Sequence, residues 1–521
     1  MLATVLSAAV RGLDGIPLSV EVDLQRGLRA FHIVGLPSPA VRESRERVVS
    51  ALLNCGFQVP ERRVTVNLAP ADLPKEGAAF DLSIALGILA ASGQYAGEGL
   101  AGVCVLGELA LDGTLRPARG VLPIAIAMRR RGVQRILVPR DNVAEAELVP
   151  GLDVVGCATL AEAAQCTGRL PRAHKPLTPA PVPSPAPAAA TPDALPSPAT
   201  LDFSRIDGQE IAKRALVVAA AGGHHIFLAG PPGVGKSLLA RCLPELLPPL
   251  SEDEALEVRQ VLSVCGQHEA AAAPTVTRPF RAPHHTITVP ALVGGGRPVV
   301  PGEITRAQHG VLFLDELPEF PRRLLDLLRQ PLEEGVIRLA RANQAISFPA
   351  RFQLVAAMNS CPCGNWGHPK KPCRCSPGDV ERYQSRISGP ILDRIDLRIE
   401  VGVPPAEKVG GVSGEGAAES ARLRARVAAA RARQVERYAH FAGVHCNAQV
   451  TPELRRTFIR PRREALQFLR QAMTRWSLSI RAFDRALAVA RTIADLEGAS
   501  DIDVQHVAEA LQYRVQRVEI T

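Results

Sequence analysis

Aromatic residues are scarce. Phenylalanine, tryptophan and tyrosine make up 4% of the 521 residues, so stacked-ring platforms of the kind that hold single-stranded bases are not expected. Long apolar runs are missing too. No uninterrupted stretch reaches the ~20 residues that a bilayer-spanning helix needs, and no membrane partner is expected. The opening MLATVLSAAVRG carries its first arginine after its apolar run, the wrong order for a secretory leader, and reads as a strand. Cysteine is sparse, 11 residues in all. With no export signal, the expected compartment is reducing cytoplasm, where clustered cysteines favour metal over disulfide.

What is present is enough apolar material, 46% of the chain, for about three domains with real cores. The net charge of +9 is unevenly spread. Ala421–Thr521 holds 18 arginines and no lysine against 10 acidic residues, so eight of the nine net charges sit in the last fifth. A solvated helical surface and a face for a polyanion both fit that surplus.

Composition divides the chain. Pro171–Pro198 is rich in proline and alanine, without apolar periodicity, and reads as an extended spacer. The expected organisation is an α/β multidomain protein. Its parts are a first domain over 1–170, a linker over 171–203, a parallel-sheet core over 204–403 and a helical domain over 404–521. Within the core, a helix over Ile211–Gly223 precedes a short strand ending at Ala229, a glycine-rich turn and the helical SLLARCLPELL. GGVSGEGAAES is expected as a flexible connection, and SIRAFDRALAVARTIADLEG as a helix stopped by Gly498.

The glycine-rich turn is GPPGVGKS, a full G-x-x-x-x-G-K-S. The turn comprises Gly230, Pro231, Pro232, Gly233, Val234 and Gly235, and its glycines let successive backbone N–H groups turn inward around a di- or triphosphate. Lys236 is placed to reach the β- and γ-phosphates of ATP, and the Ser237 hydroxyl to ligate Mg²⁺. Eighty residues on, VLFLDE reads as a buried strand ending in two carboxylates: Asp315 for Mg²⁺, and Glu316 to orient or deprotonate the attacking water. FQLVAAMN is a further strand whose tip, Asn359, can position the same water. For a phosphate-facing arginine, spacing alone leaves Arg386, Arg394 and Arg481 open.

One residue past Asn359 the chain packs four cysteines into NSCPCGNWGHPKKPCRC. Cys361, Cys363, Cys373 and Cys375 supply enough thiolates for one closed tetrahedral Zn²⁺ site, with reduced free thiols as the alternative. His368 is an alternative ligand, and Lys370, Lys371 and Arg374 would offset the charge.

GPPGVGKS, RPFRAPHHT, PGEITRAQHGVLFLDELPEF, NSCPCGNWGHP and GPILDRIDLRIEV, with the N-terminal FHIVGLPSPAVRESRERV and VTVNLAPADLPKEGAAFDLSIALGILAASGQ, resemble the ComM/YifB-type magnesium-chelatase-like AAA+ ATPases. The resemblance covers nearly the whole chain apart from the linker. It implies a homohexameric ring with nucleotide between neighbouring subunits and a helical lid. Asn359 matches sensor 1, Arg394 the arginine finger and Arg481 the sensor-2 position. It also implies DNA branch migration on single-stranded, forked or branched DNA in natural transformation, with a possible recombinase partner. The alternative is a protein-remodelling ATPase like the magnesium-chelatase motor subunit. The segment near Pro279–Pro301 corresponds to an insert lining the central pore, with VGGG as a mobile turn and His284–His285 in structural or pore contacts. The first domain resembles a Lon-protease domain, but Ala79 and Ile124 stand where the serine and lysine of the dyad would fall, so proteolysis is not expected.

Overall fold

The computed structural model describes residues 1–73, 75–168, 203, 206, 208–341, 344–368, 370–404, 416–441 and 443–515. The proline- and alanine-rich stretch expected as a linker lies outside the described residues except for Phe203.

In the first 168 residues, alternating apolar positions make half-buried strands. Strands β1 (Leu2–Arg11) and β2 (Asp14–Gln25) pair antiparallel from Leu2↔Asp23 to Arg11↔Asp14. Val5, Leu18, Val20, Val22 and Leu24 point inward from them. Strands β3 (Ala30–Val34), β4 (Arg63–Ala69), β5 (Val103–Val105), β6 (Arg135–Pro139) and β7 (Asp153–Cys157) complete a mixed seven-stranded sheet, in the order β3-β4-β2-β1-β5-β6-β7. Helices α1 (Asp81–Ala91) and α2 (Val121–Arg130) pack on it. α1 is apolar nearly all round and accordingly almost wholly buried.

The core begins with α3 (Glu210–Gly222), which leads into strand β8 (Ile226–Ala229), the phosphate turn and α4 (Lys236–Leu246). Helix α5 (Glu252–Val264) follows, its first turn closed by a reciprocal Ser251–Glu254 capping box. Next come β9 (Phe280–Arg281), β10 (Val311–Leu314), a hairpin of β11 (Val336–Arg341) and β12 (Gln344–Pro349), then β13 (Gln353–Met358) and β14 (Leu397–Glu400). The main sheet runs β9-β10-β13-β8-β14 with every pair parallel. β8, β10 and β13 are buried at every position, as expected for a parallel sheet covered on both faces.

The first domain rests on this core. Gly120 N and Leu122 N donate to the Ser263 carbonyl and hydroxyl, at 3.0 and 3.3 Å. The β1–β2 turn meets the β12 arm of the hairpin, where a Cβ on Gly12 would lie 3.1 Å from the Ser347 carbonyl oxygen.

The last hundred residues are helical: α6 (Gly416–Arg437), α7 (Arg463–Arg475), α8 (Ile480–Glu497) and α9 (Val504–Val515). Gly498 stops α8 in the left-handed region. GGVSGEGAAES is not wholly a connection: Gly416–Ser420 already belong to α6, and the residues before them lie outside those described. Many of the arginines here are spent on internal pairs. Arg437 and Arg491 converge on buried Asp495, and Arg455 pairs with Asp484. Arg485 Nη1 donates to Asp396 Oδ1 at 2.5 Å.

Asp396 joins α8 to the sheet, because its other oxygen lies 3.3 Å from both His224 Nδ1 and His225 N. Against a large burial penalty, Arg485, His224 and His225 hold its carboxyl well below the usual aspartate range. A depressed pKa contributes stability that is present above the unfolded value, near 3.9, and is lost only as pH falls toward the lower folded value. Asp396→Ala leaves Arg485 facing a buried void, and thermal unfolding at pH 7 is expected to show a loss of about 3–5 kcal/mol.

Candidate functional site: a phosphate cradle and a cysteine brace

In a parallel sheet the carboxyl ends of the strands carry the chemistry. β8 ends at Ala229 and opens into the phosphate turn. Gly233 and Gly235 have φ of +80° and +93°, and no heavy atom lies within 4 Å of where a Cβ would stand on either. The cradle is therefore open to phosphate oxygens, with the amino end of α4 behind it. Lys236 is buried, and its ammonium donates to the carbonyls of Gly230 (2.7 Å) and Pro231 (2.8 Å) and to Asn359 Oδ1 (3.1 Å). Burial pulls its pKa below the ordinary lysine value, while Asp315 and Glu316 act in the opposite sense.

Strand β13 lies between β8 and β10, so Asn359 at its tip falls between the phosphate turn and the acids after β10. Ser237 Oγ donates to Asp315 Oδ2 at 2.8 Å. Two hard oxygen donors at that separation fit Mg²⁺, which keeps most of its waters and takes few protein ligands. Glu316 extends from a left-handed residue (φ +51°) with its side chain half exposed. Lys236, Ser237, Asp315, Glu316 and Asn359 thus share one rim.

Arg394 and Arg481 lie elsewhere. Arg394 precedes β14, at the amino end of the strands, and the four residues of β8 put this rim on the order of 10 Å from the phosphate turn. Both arginines face Glu333: Arg394 Nη2 is 2.6 Å from Oε1, and Arg481 Nη2 is 3.7 Å from it. They line a cavity of about 580 Å³ with His225, Gly310 and Phe352, the residues just before β8, β10 and β13. Arg278, Arg351, Arg431, Arg455 and Arg485 line it too. Arg394 and Arg481 thus stand at the amino rim, away from the phosphate turn of their own chain.

The cysteine loop leaves Asn359 and folds back on the cradle. The Sγ atoms of Cys361, Cys363 and Cys373 are 3.4–3.6 Å apart, and all four thiols lie within 4.8 Å of one another. Four sulfurs at about 2.3 Å from Zn²⁺ would stand about 3.8 Å apart, so the set fits a closed tetrahedral site. His368 is not part of it: Nδ1 accepts the Lys370 and Lys371 N–H groups. Trp366 N and Cys375 N donate to Cys361 and Cys373 sulfur. Backbone donors at Arg374 and Asn365 pull the Cys363 thiol down to about 6. Gly364, at φ +78°, allows a contact that any side chain would block. A Cβ there would be 2.7 Å from Pro232 Cδ, in the phosphate turn.

Three features of the site had not been expected from sequence: the Gly364–Pro232 contact, Glu333 as the acid shared by two arginines, and His285 close to Glu316. The histidine pair is plain in the sequence, but spacing along the chain says nothing of which side chain a loop will face.

A five-stranded parallel sheet in this order, with its phosphate turn, acids and asparagine on one rim, is the framework of AAA+ P-loop proteins. Family profiles agree. "Magnesium chelatase, subunit ChlI" matches residues 202–409, "Subunit ChlI of Mg-chelatase" residues 20–142, and "Magnesium chelatase, subunit ChlI C-terminal" residues 417–514. The "Competence protein ComM" of Haemophilus influenzae is 44% identical, covering 98% of this chain and 97% of its own. The "Uncharacterized protein YifB" of Escherichia coli is 42% identical over the same shares. The "Magnesium-chelatase 38 kDa subunit" of Cereibacter sphaeroides is 27% identical over 39% of this chain and 59% of its own. The chain belongs to the ComM/YifB family of magnesium-chelatase-like AAA+ proteins.

If the cysteine loop braces the cradle through a metal, Cys373→Ser/Cys375→Ser should lose about one zinc per chain by elemental analysis. The same variant should bind a fluorescent ADP analogue about tenfold more weakly. Zinc lost with nucleotide affinity unchanged would separate the metal from the cradle.

Proposed function

We propose that the chain is one subunit of an ATP-hydrolysing ring, a homohexamer, that moves branched DNA during the uptake of single strands by recombination. The observation that carries the hydrolytic half is the single rim on which Lys236 bonds Asn359 and the next residue, Ser237, bonds Asp315. Bound there, Mg²⁺ would offset charge on the transferred phosphoryl group. Lys236 would give up its carbonyl partners for phosphate oxygens. Glu316 would accept a proton from the attacking water, and Asn359 would hold that water in line. Arg394 and Arg481, at the opposite rim, would serve the nucleotide of the neighbouring subunit.

DNA as the substrate draws its support from the relative named as a competence protein and from the arginine surplus. Although much of the surplus is paired internally, Arg422 and Arg426 on α6, Arg456 and Arg460, and Arg463 and Arg470 on α7 remain exposed. Those exposed arginines are available to phosphates. The first domain is read as a Lon-like fold without protease chemistry. Ala79 and Ile124 line one cavity of about 500 Å³, and no serine, threonine, cysteine, lysine or histidine is among its lining residues. Ser83 is buried and donates to the Val105 carbonyl, and buried Lys75 donates to that of Pro70. The magnesium-chelatase names of the matching families favour a second reading, a ring that remodels a protein partner.

ATP hydrolysis and strand displacement on forked and four-way DNA separate these readings. Wild type should be stimulated by DNA, Lys236→Ala should neither bind ATP tightly nor hydrolyse it, and Glu316→Gln should bind ATP but hydrolyse it at least ~100-fold more slowly. DNA binding should fall steeply between low and moderate salt. If DNA neither binds nor stimulates hydrolysis at low salt, the DNA reading fails and the protein-remodelling one stands.

A further inference from the structure

His285 stands beside the hydrolytic carboxylate. β9 pairs in parallel with β10 through Phe280↔Val311 and Arg281↔Leu312. The chain leaving β9 therefore emerges on the rim where β10 delivers Asp315 and Glu316. From that loop His285 places Nδ1 3.9 Å from Glu316 Oε2.

The imidazole is held on two sides. The His284 ring lies over it with centroids 4.0 Å apart, and Phe320 meets it edge-on at 6.4 Å. His284 is fixed in turn, with Nδ1 2.9 Å from Thr286 Oγ1 and its carbonyl accepting from Ile287 N at 3.0 Å. Glu316 is constrained at its backbone. It occupies the left-handed region, rare for a side-chain-bearing residue, and its N–H donates to Asp315 Oδ1 at 2.9 Å. Its carboxylate, by contrast, is half exposed. His285 is the side chain that stands at ion-pair range of it.

We infer that His285 is a positioning residue for hydrolysis: its Nδ1 aims the Glu316 carboxylate at the attacking water. At 3.9 Å the two are at ion-pair range and beyond a direct hydrogen bond, so a single rotamer step of Glu316 makes or releases the contact. A four-cysteine set is the only cluster of three or more metal-binding side chains among the described residues, so the histidine pair is not a metal site of that kind. The inference rests on the reading of Glu316 as the hydrolytic base.

Two substitutions separate the nitrogen from the ring. His285→Phe keeps the stacking on His284 and Phe320 and removes Nδ1. His285→Asn gives up the ring and keeps a polar atom near the Nδ1 position. His285→Phe should lower kcat for ATP about tenfold with KM and the affinity for a fluorescent ADP analogue unchanged, since misaiming a base costs rate rather than binding. His285→Asn should recover most of that loss. A wild-type kcat in His285→Phe, or a rise in KM with kcat intact, overturns the inference, as does His285→Asn failing as badly as His285→Phe. Glu316→Gln in the same assay keeps the two readings apart. If it hydrolyses ATP at the wild-type rate, the assignment of Glu316 fails; if it is inactive while His285→Phe is normal, only the role of His285 fails.

Discussion

The site depends on one constraint of chain order: β13 is inserted between β8 and β10 in a sheet whose strands all run the same way. Were β13 at an edge, Asn359 could not stand between the phosphate turn and the acidic pair. Because it is central, the phosphate turn and its helix bond two segments far away in sequence, at Asn359 and at Asp315. Lys236 shows the result, with one ammonium shared by two turn carbonyls and the Asn359 side chain. The central strands are buried at every position, so the rim they carry is as rigid as the core beneath it.

The same parallel order gives the core two unlike rims. The carboxyl rim gathers backbone N–H groups, a lysine and carboxylates. The amino rim gathers arginines and the acid they share. Asp396 ties that second rim to the C-terminal helices, since it accepts from Arg485 on α8 and lies against His224, which also contacts Thr492 of the same helix at 2.8 Å. This buried polar node therefore couples the C-terminal helices to the sheet. In the proposed ring, the core would present its arginine rim to the nucleotide of the neighbouring subunit, and Arg394 would exchange Glu333 for phosphate oxygens.

Much of the core could be read from the sequence because its signals are local. Ile226–Ala229, the glycine turn and the helix after it follow one another directly, and VLFLDE announces a buried strand with acids at its end. The stop at Gly498 is of the same kind, one residue adopting a conformation that glycine favours. The β11–β12 hairpin was not anticipated, since its residues carry arginine and glutamine among the apolar ones and no short turn signal at the tip. The contacts of His285 and Gly364 were hidden for a different reason. Each is made across the fold, to a residue more than thirty positions away in the first case and more than one hundred in the second. No periodicity records such a meeting.

The cysteine loop shows why position matters more than ligand count. A closed four-thiolate shell leaves no coordination place for water, so a metal held there has no direct route into phosphate chemistry. Its influence must be mechanical, and the structure offers two connections for it. Asn359 is two residues from Cys361, and Gly364 bears on Pro232. The first reaches Asn359, which bonds Lys236, along the backbone; the second reaches the phosphate cradle through van der Waals contact. A metal that fixes Cys361 and Cys363 fixes both, because the Cys361–Gly364 turn is closed by its own N–H···O bond of 2.9 Å. A larger residue at 364 would push on the cradle with the metal still bound, whereas loss of the thiols would release the loop and leave the cradle its shape but not its support.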